Sequence, residues 1–233
     1  SPDIACSGPS GSNVYIVWYD DSPFGYDTIF FKDCGNYGAG TWSSAKRLTW
    51  TPVGAHCPRI ESGNTDATIA TGHWGNVYVV FHDLMFGNGE IFYNYNTDFG
   101  DPAAWSGPKR LTWSSGKSVN PVVDAQQKDE YVHIAWQEDF ISKNAYNIVY
   151  KRLSNYGATI PVGITKRLSF ANTDSEHPSI SATDCDPAEK RWVACAWDQI
   201  IIGGGHEIIW KETWKPGGEA WNASWGTRRL TFS

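Results

Sequence analysis

The chain has 233 residues with a formal net charge of −6 and a sequence pI near 5.5, which argues against a nucleic-acid surface, since phosphate binding needs clustered Lys and Arg. No run approaches 18 apolar residues, so nothing reads as a membrane-spanning helix. Aromatic residues make up 15%, including 13 Trp, against 19% charged residues, 23 Gly and 12 Pro; this balance excludes a mainly helical chain and reads as all-β.

The first element is a Pro-x-aliphatic phrase, Pro2-Asp3-Ile4, which returns at Pro58-Arg59-Ile60, Pro121-Val122-Val123 and Pro178-Ser179-Ile180. Pro removes no needed ladder bond at the first residue of a strand, so each phrase predicts the start of a strand one. Strand two is continuously β-branched and aromatic at 14–18, 77–81, 131–136 and 192–197, the pattern of a strand covered on both faces. After a variable loop, strand three is expected at 27–31, 90–93, 147–150 and 207–210.

Strand four ends in Lys46-Arg47-Leu48-Thr49-Trp50, repeated as Lys109-Arg110-Leu111-Thr112-Trp113, Lys166-Arg167-Leu168-Ser169-Phe170 and Arg228-Arg229-Leu230-Thr231-Phe232. A period of about sixty residues marks a solenoid, propeller or array. The prediction is one domain over 1–233, a four-bladed β-propeller with four antiparallel strands per blade and blades near 1–50, 51–113, 114–170 and 171–233. Four blades are expected to close a ring without help; the alternatives are a fragment of a larger ring or chains that assemble further.

The five cysteines, Cys6, Cys34, Cys57, Cys185 and Cys195, lack metal-ligand spacing and read mainly as small buried hydrophobes, with up to two disulfides open. A chain beginning at Ser1 without Met is expected to be trimmed or a processed secreted protein, placing it outside the cytoplasm.

The turn after strand three carries Asn36-Tyr37-Gly38 then Trp42, Asp98-Phe99-Gly100 then Trp105, Asn155-Tyr156-Gly157 then Ile160, and Lys215-Pro216-Gly217 then Trp221. These turns resemble the Asp-box (Ser-x-Asp-x-Gly-x-x-Trp) of sialidase-type propellers, as does the order of phrases along the chain. Asp98 keeps the acid and Ser154 the leading serine. The resemblance implies a propeller that handles glycans, although sialidase domains have six blades and three substrate-clamping arginines. Here most arginines belong to the strand-four signature, with Arg59 alone near the axis, so an inward-facing arginine triad is not expected.

Strand directions alternate within a blade, so one face collects the strand-one entrances, strand-two exits and strand-three entrances. The predicted ligand-binding ring there is His56, Arg59, Asp83, Glu90, Asn120, Glu138, His177, Asp198 and Glu207, with Trp74 as a sugar-stacking candidate. Carboxylates accept hydrogen bonds from sugar hydroxyls, and an oxygen-rich cluster suits Ca²⁺ or another ion at the channel. The competing expectation is architectural, because an acid recurring in every blade finds its partners in turns of its own or the next blade.

Apolar loop tips at Phe24, at Met85 and Phe86, at Phe140 and Ile141, and at Ile200, Ile201 and Ile202 predict an interface if they cluster. The sequence therefore favours a non-catalytic, lectin-like module with a glycan or protein ligand. The alternatives are a protein-binding or self-assembling module forming a homo-oligomer through those tips, and a remnant of a sialidase-like glycoside hydrolase.

Overall fold

The computed structural model describes residues 2–6, 13–62, 75–125, 131–139, 145–160, 165–170, 172–183, 192–213 and 227–231. They form sixteen strands in four antiparallel sheets of four, and no α-helix. The first sheet holds β1 (Asp3–Cys6), β2 (Val14–Asp20), β3 (Thr28–Cys34) and β4 (Lys46–Arg47); the second β5 (Ala55–Ser62), β6 (Val77–Asp83), β7 (Glu90–Asn96) and β8 (Lys109–Arg110). The third holds β9 (Ser118–Ala125), β10 (Val132–Asp139), β11 (Tyr146–Leu153) and β12 (Thr165–Arg167); the fourth β13 (Ser175–Thr183), β14 (Trp192–Ile200), β15 (His206–Thr213) and β16 (Arg228–Arg229). These are the four propeller blades the repeat predicts. No helix among the described residues is long and apolar enough to cross a membrane.

Equivalent residues keep equivalent registers. Trp18 pairs with Phe30, Phe81 with Phe92, Trp136 with Val149 and Trp197 with Ile209. Cross-strand pairs of large side chains hold each sheet together, and alternation along a strand sends neighbouring side chains to opposite faces.

The strand-four signature has a physical reason. Leu48, Leu111 and Leu168 lie against the next blade, and each threonine or serine hydroxyl accepts the backbone N–H of Ile29, Ile91, Ile148 or Ile208 at 2.8–2.9 Å. The arginine Nε donates to the carbonyl of that same Thr or Ser, at 2.6 Å for Arg47 and Arg110, 2.8 Å for Arg167 and 3.0 Å for Arg229. Two side-chain-to-backbone bonds thus extend a strand that runs regularly for only two or three residues.

The turn after β7 does not use the acid that the sequence suggested. Asn96, not Asp98, closes the turn: its Oδ1 accepts from the N–H groups of Asp98 at 2.9 Å and Gly100 at 3.0 Å. Trp105 then packs edge-on against Phe31 of the first blade, ring centroids 4.9 Å apart.

Successive blades pack face to face, β5 on β1–β3, β9 on β5–β7 and β13 on β9–β11. Among the described residues no comparable packing joins β1–β4 to β13–β16. Four blades were expected to close on themselves; among the described residues the first and the fourth do not pack on one another. Cys34 and Cys195 are buried thiols as expected, and burial pushes the Cys195 thiol up to about 12; Cys57 is partly exposed, and Cys185 lies outside the described residues.

Candidate functional site

The innermost strands β5, β9 and β13 begin at Ala55, Ser118 and Ser175, ahead of the prolines expected to open them. Each carries a bulge, marked by register shifts between His56 and Arg59, opposite Ala135 and Gln137, and between Glu176 and Ser179. The residue before each proline, Cys57, Asn120 or His177, takes a left-handed backbone with φ of 49°, 50° and 50°. A non-glycine residue pays about 1–2 kcal/mol for that conformation, and a bulge re-aims its side chain.

The result is a cavity of 380 Å³ lined by Arg59, Asn120, Pro121, Val122, His177, Pro178 and Ser179. Gln137 ties two of the bulges together. Its Oε1 accepts from Asn120 Nδ2 at 2.6 Å and from the backbone N–H of His177 at 3.3 Å. Three predicted residues, Arg59, Asn120 and His177, are therefore brought to one cavity.

At the mouth between the first two blades, His56 Nδ1 lies 2.6 Å from Asp27 Oδ2. Both side chains are partly open to solvent. Gly54 permits this approach: its φ is +98°, and a Cβ there would stand 3.1 Å from His56 Nε2. His82 lies beside His56, ring centroids 5.4 Å apart, and burial together with the His56 charge pulls its imidazole down to about 4. Asp83 accepts from Thr51 Oγ1 at 2.6 Å and from the Met85 N–H at 2.8 Å. Burial nevertheless raises its carboxyl above the usual range, against the lowering effect of those bonds and of His56.

In the fourth blade Asp198 stands between two imidazoles, 3.0 Å from His206 Nδ1 and 3.9 Å from His177 Nδ1. Among the described residues no group of three or more His, Cys, Asp or Glu side chains converges to hold a metal ion.

Three predicted ligand contacts have architectural partners. Glu90 is fully buried and accepts from Arg110 Nη2 at 2.9 Å and from Thr112 Oγ1. Glu207 repeats the arrangement with Arg229 and Thr231, and Asn147 occupies the same place with Arg167 at 2.6 Å. Glu138 is held by Trp136 Nε1 at 2.6 Å and Ser118 Oγ at 2.7 Å. Glu90 and Glu207 thus satisfy buried donors of their own blade, while Glu138 keeps Oε1 outside these bonds and lines a cavity of 260 Å³ with Trp113 and Lys151. Trp74 lies outside the described residues.

Phe24 and Phe86 fold over their own blades, stacked on Phe30 and Phe92 and covered by Arg47 at 3.8 Å and Arg110 at 3.9 Å from the ring centroids. Even so, Phe24 and Phe86 stay exposed, as do Met85 and Ile202; Ile200 and Ile201 are half-buried, and Phe140 and Ile141 lie outside the described residues.

Sequence reasoning passed over His82, Thr51, Gln137 and His206 as members of these clusters. Asp27 and His206 each stand one residue before the repeated position of strand three, where the second and third blades carry Gly89 and Tyr146. The usable signal was variation between blades, not repetition.

No family model and no curated protein matches the sequence. Solved structures share its fold at low identity. The catalytic domain of a GH62 α-L-arabinofuranosidase from Coprinopsis cinerea is 14% identical with a TM-score of 0.54, over 98% of this chain and 67% of that one. The GH93 α-L-arabinofuranosidase of Fusarium graminearum, solved with arabinobiose, is 10% identical with a TM-score of 0.58, over 98% and 65%. An endo-arabinase from Bacteroides thetaiotaomicron is 11% identical with a TM-score of 0.56, over 99% and 80%. The chain thus spans about two thirds of the length of the two arabinofuranosidases. These likenesses correct the expectation of a non-catalytic, lectin-like module, because the propellers that share the fold are glycoside hydrolases.

Proposed function

We propose that the chain is the propeller of a glycoside hydrolase that cleaves α-L-arabinofuranosyl linkages at the mouth formed by the first two blades. One observation carries the reading: a carboxyl raised by burial, Asp83, stands beside the solvent-reachable Asp27–His56 pair. Glycoside hydrolysis uses two carboxylates in different environments, one holding its proton for the departing oxygen and one ionised for the opposite role.

In this assignment Asp83 is the proton donor, since the raised carboxyl keeps its proton closer to neutral pH. Asp27, oriented by His56, is the partner that activates water. Arg59, Asn120 and His177 offer hydrogen-bond donors to sugar hydroxyls in the adjoining cavity, and Asp198 offers an acceptor further along the rim. The likeness to arabinan-acting propellers supports the sugar class through fold alone.

The residual resemblance of the turns to Asp-box repeats fits the same glycan-handling role, and a polymeric glycan substrate suits a chain working outside the cytoplasm. Release of 4-nitrophenol from 4-nitrophenyl α-L-arabinofuranoside, or of arabinose from arabinan, tests the reading. Turnover of other glycosides with neither of these cleaved would replace the sugar class.

A further inference from the structure

At each junction between successive blades the aromatic residue that ends the strand-four phrase stays open to solvent: Trp50 is 58% exposed, Trp113 67% and Phe170 66%. Across the junction the following blade sets two polar side chains at equivalent registers: Asp83 and Asn94, Glu138 and Lys151, Gln199 and Lys211. At the first junction both are engaged. Asp83 accepts from Thr51 Oγ1 and the Met85 N–H, and Asn94 Oδ1 accepts from Ser106 Oγ at 3.0 Å. The third junction is alike, for Lys211 Nζ donates to the Leu168 carbonyl at 2.8 Å and Gln199 Oε1 accepts from Trp197 Nε1 at 3.4 Å.

The second junction differs. Glu138 and Lys151 are 7% and 8% exposed, and both line the 260 Å³ cavity whose outer wall is Trp113. Trp136 and Ser118 both bond to Oε2 of Glu138, which leaves Oε1 outside those contacts. Lys151 Nζ has one long contact, 3.5 Å to Thr165 Oγ1. Among the described residues it bonds neither to Glu138 nor to the Leu111 carbonyl, the partner its equivalent Lys211 finds at Leu168. An ammonium carries three donors, and burying them without acceptors is costly. Glu138 pairs with Asn147 and Ile134 with Lys151, so the two charged residues stand on one face of β10–β11, with Trp136 and Val149 as the floor between them. Four residues of strand separate them by about 13 Å.

We propose that this cleft is a second glycan-binding site, apart from the mouth, in which a neutral sugar chain stacks on Trp113 while its hydroxyls donate to Glu138 Oε1 and accept from Lys151 Nζ. A hydroxyl both donates and accepts, so one ligand chemistry serves a carboxylate and an ammonium alike. An apolar and aromatic lining with a few placed polar groups is the makeup of a small-ligand site. A uronic-acid chain would set carboxylates against Glu138. A free amino acid carries both charges on one carbon and does not span the two residues. None of the residues assigned to the mouth lines this cleft. The position of the site is independent of the arabinan reading, whereas the choice of a pentose chain rests on it.

Affinity electrophoresis in native gels cast with linear arabinan, arabinoxylan or polygalacturonate tests this. The wild-type chain should be retarded by a neutral polymer and not by polygalacturonate. Trp113→Ala and Lys151→Met should each weaken that retention by about tenfold or more, as loss of an anchoring contact does. Circular dichroism checks that both are folded, which the exposure of Trp113 favours. Hydrolysis of 4-nitrophenyl α-L-arabinofuranoside, a substrate small enough for the mouth alone, should keep its kcat and KM in Trp113→Ala. Retention by a neutral polymer without turnover of that glycoside sustains the site and counts only against the catalytic assignment. Retention unchanged in Trp113→Ala, retention by polygalacturonate as strong as by the neutral polymers, or none in either neutral gel overturns the proposal.

Discussion

Arg110 Nη2 lies 2.9 Å from Glu90 Oε1, joining the last strand of the second blade to the first residue of its third strand. Glu90 has no solvent contact, while Arg110 is sandwiched between Phe86 and Trp113, its guanidinium 3.9 and 5.5 Å from their ring centroids. Removing one partner of a buried pair leaves the other uncompensated. Glu90→Ala should therefore lower unfolding free energy by about 3 kcal/mol, measured by urea denaturation. Glu90→Gln, which keeps a hydrogen-bond acceptor, should cost less.

Leu111 and Leu230 occupy equivalent places with opposite surroundings. Leu111→Ala should cost about 2–4 kcal/mol through lost burial and the cavity left behind. Leu230→Ala, in dilute protein, should cost under about 0.5 kcal/mol, as exposed substitutions do. Equal effects in paired urea titrations would contradict a buried second-blade junction and an uncovered fourth-blade face.

Acid stability follows from two histidines that fold neutral. Burial pulls His82 down to about 4 and His133 to about 3, with His56 and Arg152 adding to the effect. Both imidazoles sit near 6.5 when unfolded, so the unfolded chain binds protons first as pH falls. Their contribution is complete above about pH 6.5 and is lost progressively below it. Asp83 has the opposite sign, since a carboxyl raised by burial favours the folded state as pH falls. Between pH 6.5 and 5 the urea midpoint should fall, and a His82→Asn/His133→Gln double variant should flatten that slope.

Gly54 is the backbone support of the mouth. In Gly54→Ala the new methyl meets His56 Nε2 and forces a φ of +98° on a residue with a Cβ. The imidazole should leave Asp27, with a loss of stability of roughly 1–2 kcal/mol and a much larger loss of turnover. Nitrogen NMR of the His56 ring reads the broken contact directly.

Much of the fold was legible because packing repeats: a leucine, a β-branched strand and a Thr-capped ending recur wherever one blade covers the next. The strand-one starts were misplaced, because a bulge sets Cys57, Asn120 and His177 before the prolines and the ladder begins earlier. Glu90 and Glu207 looked like ligand contacts since acids at a rim suit sugars, yet their recurrence together with Arg110 and Arg229 was the mark of a clamp. The exposure of the fourth-blade leucine was invisible for a related reason: Leu230 stands in the same sequence phrase as Leu168, and only their packing in the fold separates them.

The central claim, that Asp83 gives up a proton to the departing sugar oxygen, is tested most directly by leaving-group dependence in Asp83→Asn. Loss of a general acid costs about 10²–10⁴-fold where the leaving oxygen needs protonation, and little where it does not. The variant should therefore lose arabinan cleavage while retaining most of its rate on 2,4-dinitrophenyl α-L-arabinofuranoside. Equal losses on both substrates, or none on either, would contradict the assignment.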